Sequence, residues 1–347
     1  MTASATSASA PASYANLDPD RVLRTLDAVG LRGDGRLLQL NSYENRVFQV
    51  FLEDGDVVVA KFYRPARWSD AQILEEHAFA QELADDDVPA IAPRVLSAGE
   101  DIELLGHPPT LARRRDGSDI HRVAVSDRHA GRAPELEDQT VLQWLGRFLA
   151  RLHTVGARKP FSHRRTLDPA TFGHAARQRL LDGEFVPETE RPGWTRWCDA
   201  ALAAIDHAFD LHAGVARLRL HGDFHPGNVM WRDAGPHVVD LDDACNGPAI
   251  QDLWMLLSGE ATSMRQQLAH VLEGYCVVRP FDHRELALIE PLRTLRMIHH
   301  SAWIAERWTD PAFPAAFPWF GSAAYWSQQA TQLREQVEAM DAPPLLA

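Results

Sequence analysis

The sequence predicts an α+β chain in two lobes: a small N-terminal lobe of antiparallel strands with one helix, then a larger, mainly helical lobe. Three observations carry this. Apolar and β-branched runs between Leu37 and Tyr63 are joined by polar turns. From Thr140 onward, apolar residues recur at helical spacing. Within that half stands Leu220-His221-Gly222-Asp223-Phe224-His225-Pro226-Gly227-Asn228, followed by Val238-Val239-Asp240. The 347 residues suffice for two lobes around a cleft. The expected division is a disordered tail over 1–16, a first lobe over 17–130 and a helical lobe over 131–347.

In chain order, Asp18-Pro19-Asp20 starts a helix that carries Val22, Leu23, Leu26 and Val29 and stops at Gly30. Strands follow at Leu37–Leu40, Arg46–Leu52 and Val57–Tyr63, with the polar loop Asn41–Asn45 between the first two and the turn Glu53–Asp56 between the others. Trp68–Ala84 reads as a helix with Ile73, Leu74, Phe79 and Leu83 as its apolar stripe. Pro89 and Pro93 punctuate a loop into Arg94–Leu96. The stretch Arg113–Gly131 reads as irregular, its Arg-Arg-Arg-Asp-Gly-Ser run as an exposed turn, and His121–Val125 as a strand leading to a hinge.

The second lobe opens with a strong helix, Thr140–His153, with Leu142, Leu145, Leu149 and Leu152 on one face. His153 reads as a packed or hydrogen-bonded histidine. Helices are expected near Thr171–Leu181 and Trp194–His212, then a hairpin of Asn228–Trp231 and His237–Leu241. After the break at Asn246-Gly247-Pro248, helices are expected from Gln251, over Met264–Val277, Arg284–Leu288 and Pro291–Trp308. On the last, Leu292, Leu295, Ile298 or His299, and Trp303 are expected to face the core, while Arg293, Arg296 and Arg307 are expected on the exposed face. Residues 311–320 form a Pro-rich aromatic loop.

The chemistry lies in Asp223, Asn228 and Asp240. An Asp and an Asn five residues apart, then an Asp at the end of a short apolar strand, is the layout of a phosphoryl-transfer centre. Asp223 would accept or orient the proton of an acceptor hydroxyl. Asn228 and Asp240 would hold Mg²⁺, a hard cation that prefers oxygen ligands. Strand alternation points Asp240 and Asp242 to one side, which leaves Asp242 either a second ligand or a solvated turn residue. Asp252 reads either as a helix N-terminal acid or as an acceptor of backbone hydrogen bonds from the catalytic loop. Lys61, in the run Val-Val-Val-Ala-Lys, is placed to contact the phosphates of ATP. Glu75 and Glu76 are candidates to pair with it, and periodicity favours Glu76.

Composition narrows the classes. A net charge of -13 argues against a nucleic-acid-binding surface as the main function. No apolar run approaches the length of a membrane span. Cys198, Cys245 and Cys276 are scattered, so neither a disulfide framework nor a zinc site is expected, and a reducing cytoplasm fits.

These residues resemble the aminoglycoside phosphotransferase and choline kinase superfamily, which has a protein-kinase-like bilobal fold. Within it, the chain is similar to the stress response kinase A family of bacterial serine/threonine protein kinases. Leu40–Val47 (LNSYENRV), Val59–Pro65 (VAKFYRP), Gln72–His77 (QILEEH), Leu218–Gly222 (LRLHG), Asp240–Leu257 (DLDDACNGPAIQDLWMLL), Ile289–Leu292 (IEPL) and Asp310–Trp319 (DPAFPAAFPW) carry the resemblance. It implies Asp223 as proton acceptor, Asn228 and catalytic Asp240 as Mg²⁺ ligands, Ser42 in the nucleotide-covering loop, and Lys61 on ATP. That loop, Asn41–Asn45, holds no glycine, so Ser42 and backbone N–H groups would have to hold the phosphates. The implied activity is transfer of the γ-phosphate of ATP to a protein Ser or Thr by a cytoplasmic monomer. A small-molecule kinase acting on an amino alcohol or sugar shares every catalytic residue, and a non-catalytic nucleotide-binding regulator is the third reading.

Overall fold

Period-two alternation in the N-terminal third builds a sheet with two different faces. The computed structural model describes residues 14, 17–117 and 119–345, so the tail expected over 1–16 lies outside the described residues, Tyr14 apart. The chain divides into two compact units: residues up to Gln81 with Ile91–His129, and Glu82–Ala90 with Ala130 onward.

In the first unit, α1 (Pro19–Asp27) is capped by Asp18, whose side chain accepts from Arg21 N–H at 2.8 Å. Strands β1 (Gly33–Leu40), β2 (Arg46–Leu52) and β3 (Val57–Phe62) precede α2 (Asp70–Asp85), and β4 (Ile102–Leu105), β5 (Leu111–Asp116) and β6 (Asp119–Asp127) follow it. They form one antiparallel sheet in the order β1-β2-β3-β6-β5-β4. Phe48, Val50, Val58, Ala60, Phe62, Val123 and Val125 pack on one face with Val22 and Leu26 of α1. Tyr63, Leu111 and Ala124 pack on the other with Ile73 and Leu74 of α2.

The stretch expected to be irregular is therefore a hairpin. Arg113, Arg114 and Arg115 lie in β5, opposite Arg122, His121 and Ile120 of β6. A run of charge resembles a turn only until its partners are known: Arg113 bonds Glu103 and Asp70 at 2.7 Å and 2.9 Å, and Arg122 bonds the Trp68 carbonyl.

The second unit is mainly helical. It contains α3 (Gln139–Gly156), α4 (Ala175–Asp182), α5 (Arg191–Leu211), β7 (Leu218–Leu220), β8 (Val229–Arg232), β9 (Gly235–Val238) and β10 (Cys245–Gly247). Then come α6 (Ile250–Trp254), α7 (Ala261–Cys276), α8 (Ile289–Glu306), α9 (Ala312–Ala316) and α10 (Ala323–Asp341). Leu142, Leu145, Leu149 and Leu152 of α3 are all buried, each contributing about 1.5–3 kcal/mol to the folded state. α3 and α7 approach backbone to backbone. A Cβ at Gly146 would meet the Val271 carbonyl at 2.0 Å, and one at Gly274 the Gln143 carbonyl at 2.0 Å.

Helix α10 had no counterpart in the sequence reading. Its buried Trp326 meets Trp194 of α5 edge to face at 5.6 Å, and Trp194 Nε1 donates to Gln329 at 2.6 Å. Arg307 is buried rather than exposed, because its guanidinium lies over the Trp303 ring and donates to the Trp303 carbonyl. Cys198, Cys245 and Cys276 are free thiols. No helix of the described residues is long and apolar enough to cross a membrane.

Candidate active site

The site in the second unit starts from two short ladders. β7 pairs antiparallel with β10, and β8 pairs with β9. The chain leaves β7 at Leu220, passes through His221-Gly222-Asp223, and makes a single 3-10 turn over Pro226–Asn228 before β8. In the β8–β9 ladder Val229 faces Val238, and Val239 N–H donates to the Asn228 carbonyl at 3.1 Å. That register returns the chain beside Asn228 and delivers Asp240 one residue later.

Asp223 and Asn228 are joined directly: Asn228 Nδ2 donates to the Asp223 carbonyl at 3.0 Å. This bond fixes the amide orientation and leaves Oδ1 as the atom available to a cation. Asp240 is exposed and left-handed, at φ 64 and ψ 65. A non-glycine residue held there is strained, and such strain concentrates at functional sites. The left-handed residue also ends the strand, and Leu241–Asp243 turn as a 3-10 helix. Strand alternation therefore does not apply, and Asp242 is buried while Asp240 is exposed. Asp242 is thus not a solvated turn residue.

Buried groups hold these loops in place. Asp252, with no exposed surface, accepts from His221 N–H at 2.9 Å and Gly222 N–H at 2.8 Å, and its Oδ2 lies 3.0 Å from His153 Nε2. The second of the two readings of Asp252 is the one observed, and His153 is a buried bridge whose Nδ1 meets the Tyr275 hydroxyl. Gln251 donates to the Gly222 carbonyl at 3.0 Å. His221 Nε2 lies 3.0 Å from the Val239 carbonyl, which ties the Asp223 loop to the residue before Asp240. Gly222 has φ +84, and a Cβ there would meet the Asp243 carbonyl at 2.2 Å, so only glycine fits between the two turns.

Three contributors escaped the sequence reading. Buried Arg164 donates to the carbonyls of Ala244, at 2.8 Å, and of Asp242, gripping the Asp240–Asp243 turn from below. Arg296 of α8, on the exposed face as expected, also donates to Asp223 Oδ1 at 2.6 Å. His225 Nε2 lies 3.5 Å from Asp223 Oδ2. Burial pushes the Asp223 carboxyl up, but the His225 imidazole and the Arg296 guanidinium outweigh it and hold it well below the usual carboxylate range. The motif spacing signalled His225 only as part of the loop. Nothing local marked Arg164 or Arg296.

The remaining predicted residues lie in the first unit. Ser42 Oγ accepts from Asn45 N–H at 3.2 Å. Arg64 holds the same loop by its carbonyls, donating to Glu44 O and Tyr43 O, each at 3.0 Å. Lys61 is half-buried and pairs across the sheet with Ala124, on the face covered by α2. Glu76 is buried one turn beyond Ile73, on the side of α2 that faces the sheet, whereas Glu75 is half-buried.

Among the described residues, no group of three or more His, Cys, Asp and Glu side chains gathers as a metal cluster. The donors present still suit a hard divalent cation. One carboxylate and one carboxamide oxygen are a typical protein share for Mg²⁺, which takes its other ligands from phosphate and water.

A family model described as the phosphotransferase enzyme family matches residues 36–289. The chain is 41% identical over 332 residues to Stress response kinase A of Salmonella choleraesuis (strain SC-B67), covering 96% of each chain. It is equally similar to the Serine/threonine protein kinase RdoA of Salmonella typhimurium (strain LT2), and 40% identical to Stress response kinase A of Escherichia coli (strain K12), both over 332 residues and 96% of each chain. Among solved structures, the amicoumacin kinase hAmiN in complex with AMP-PNP, Ca²⁺ and Ami shares 18% identity at TM-score 0.69, over 95% of each chain. A microcompartment-associated aminopropanol kinase shares 18% at TM-score 0.70, over 94% of this chain and 100% of that one. At such identity the two structures speak for the fold alone. The chain belongs to the phosphotransferase enzyme family and, within it, to the stress response kinase A family.

Proposed function

We propose that this protein transfers the γ-phosphate of ATP to Ser or Thr hydroxyls of a protein substrate, with Mg²⁺, as a cytoplasmic monomer serving a stress response. The observation that carries the reading is Asp223 bonded to Asn228 in a loop held by buried Asp252, with the β8–β9 hairpin returning the chain beside Asn228 one residue before Asp240. The naming of relatives at 41% identity as stress response and serine/threonine kinases supports the choice of acceptor.

In the proposed reaction, Asp223 orients the acceptor hydroxyl through a carboxylate oxygen. The hydroxyl oxygen bonds to the γ-phosphorus, the bond from that phosphorus to the β–γ bridging oxygen breaks, and the hydroxyl proton passes to Asp223. A carboxylate held ionised is a weak base, which suits a loose transition state where the proton leaves late. Asn228 Oδ1 and Asp240 would hold Mg²⁺, which supplies charge neutralisation at the phosphate oxygens. Ser42 and Lys61 would bind the phosphates, and Glu76 would pair with Lys61.

The test uses labelled ATP, Mg²⁺, a generic Ser/Thr-containing protein and an amino alcohol. Label on the protein is expected. Asp223→Ala should lower the rate about 10³-fold while ATP binding persists. Label on the amino alcohol and none on protein would overturn the protein-kinase reading. A stress phenotype that survives Asp223→Ala would favour a non-catalytic regulator.

A further inference from the structure

Helix α8 carries a stripe of which one member, Arg296, reaches the catalytic carboxylate. Arg293, Arg296, His300, Trp303 and Arg307 recur three or four residues apart and so share one side of the helix. The end arginines pair on their own helix: Arg293 with Glu290 at 3.1 Å, Arg307 with Glu306 at 2.9 Å, a carboxylate it shares with Arg179. Arg296, between them, has Asp223 as its hydrogen-bond partner among the described residues.

That pairing changes what the acceptor meets. The acceptor hydroxyl must bond to the Asp223 carboxylate, so its neighbouring groups lie beside the Arg296 guanidinium. The charge of Asp223 is already compensated by Arg296, and the His225 imidazole stands on its other oxygen. A cationic acceptor finds no uncompensated anion there and meets a guanidinium instead. The Arg296 side chain is 44% exposed and commits one of its nitrogens to Asp223. A guanidinium carries five N–H donors, enough for a second carboxylate as well. Beyond it, His300 stacks on Trp303 at 5.6 Å, which continues the stripe as an aromatic surface.

We infer that Arg296 selects the acceptor by charge: the phosphorylated hydroxyl lies next to a carboxylate, in a protein an Asp or Glu flanking the Ser or Thr. The protein form rests on the kinase reading above; the preference for an anion rests on Arg296 together with the placing of the acceptor hydroxyl at Asp223.

The experiment offers the full-length enzyme with Mg²⁺ and ATP two peptides, one Ser flanked by Glu and one by Lys. The Glu peptide should be favoured about tenfold in kcat/KM, chiefly through KM. Arg296→Lys should keep the preference, and Arg296→Glu should reverse it. The ratio is read within one preparation, so it does not depend on how much of a variant is folded. Equal use of both peptides by the unaltered enzyme, or an unchanged ratio in Arg296→Glu, overturns the inference. Glycerate and ethanolamine are offered in parallel. Glycerate taken over ethanolamine with neither peptide labelled would reject the protein acceptor and keep charge selection; ethanolamine preferred would reject charge selection.

Discussion

Residues 221–228 and residues 41–45 are both loops proposed for phosphoryl transfer, and they are held in different ways. The first is gripped on its N–H groups by Asp252 and on its carbonyls by Gln251, both buried. The turn it leans on is held in turn by buried Arg164. The second is held on its carbonyls by Arg64 and the Tyr14 hydroxyl and on its Glu44 carboxylate by Arg64 and Arg67, all from outside the loop, with Tyr43 54% exposed at its tip. A group that must meet a reacting proton gains from being fixed beforehand. A loop that covers a nucleotide has to admit and release it.

The contrast breaks most sharply at Gly222. Gly222→Ala adds a methyl group 2.2 Å from the Asp243 carbonyl at a positive φ. Phosphoryl transfer should fall at least about 10³-fold, with stability lower by about 2–4 kcal/mol. Transfer assays and a denaturant titration measure the two losses; a fully active variant would show that the close approach is dispensable. Asp252→Asn comes next, because its amide cannot accept from both backbone N–H groups. A loss of about 2–3 kcal/mol is expected, since buried donors are left unmet.

Arg64→Ala tests the other loop. KM for ATP should rise about tenfold while kcat and the denaturation midpoint stay nearly constant. A fall in stability matching that of Asp252→Asn would erase the distinction between the loops.

The smallest effect asks how deep the bracing runs. Glu285 accepts from Ile250 N–H at 2.8 Å and so holds the start of α6, the helix that carries Gln251 and Asp252. Burial pushes its carboxyl up to about 7, with the Ile250 bond acting the other way. The folded form therefore binds this proton more tightly than the unfolded chain. Its contribution is full below about 4.5 and is lost as pH rises through about 7. Unfolding titrations across that range should show a slope that Glu285→Gln flattens; identical slopes would mean that Glu285 does not titrate there.

What the sequence disclosed followed the range of its signals. Asp223, Asn228 and Asp240 could be picked out as candidates because their spacing belongs to one loop and the hairpin that follows it, and the α3 stripe because burial imposes a period. The β5–β6 hairpin was not, since a run of three arginines in a strand and in a turn look alike until Glu103 and Asp70 are in place. Alternation failed at Asp240–Asp242 because one left-handed residue resets the facing of everything after it. Arg164 and Arg296 act across 78 and 73 residues of chain, and no neighbouring residue announces such a partner.

The Arg64 grip has a consequence for a loop without glycine. In a trans peptide the carbonyl of one residue and the N–H of the next point in opposite directions. With the Tyr43 oxygen drawn to Arg64, the Glu44 amide hydrogen is turned to the opposite side of the strand of backbone. The Asn45 amide is spent on Ser42, whose own hydroxyl hydrogen stays available to donate. A donor thus comes from a serine side chain where other enzymes rely on an unsubstituted backbone, and the arginine behind the loop sets which way its peptide planes face.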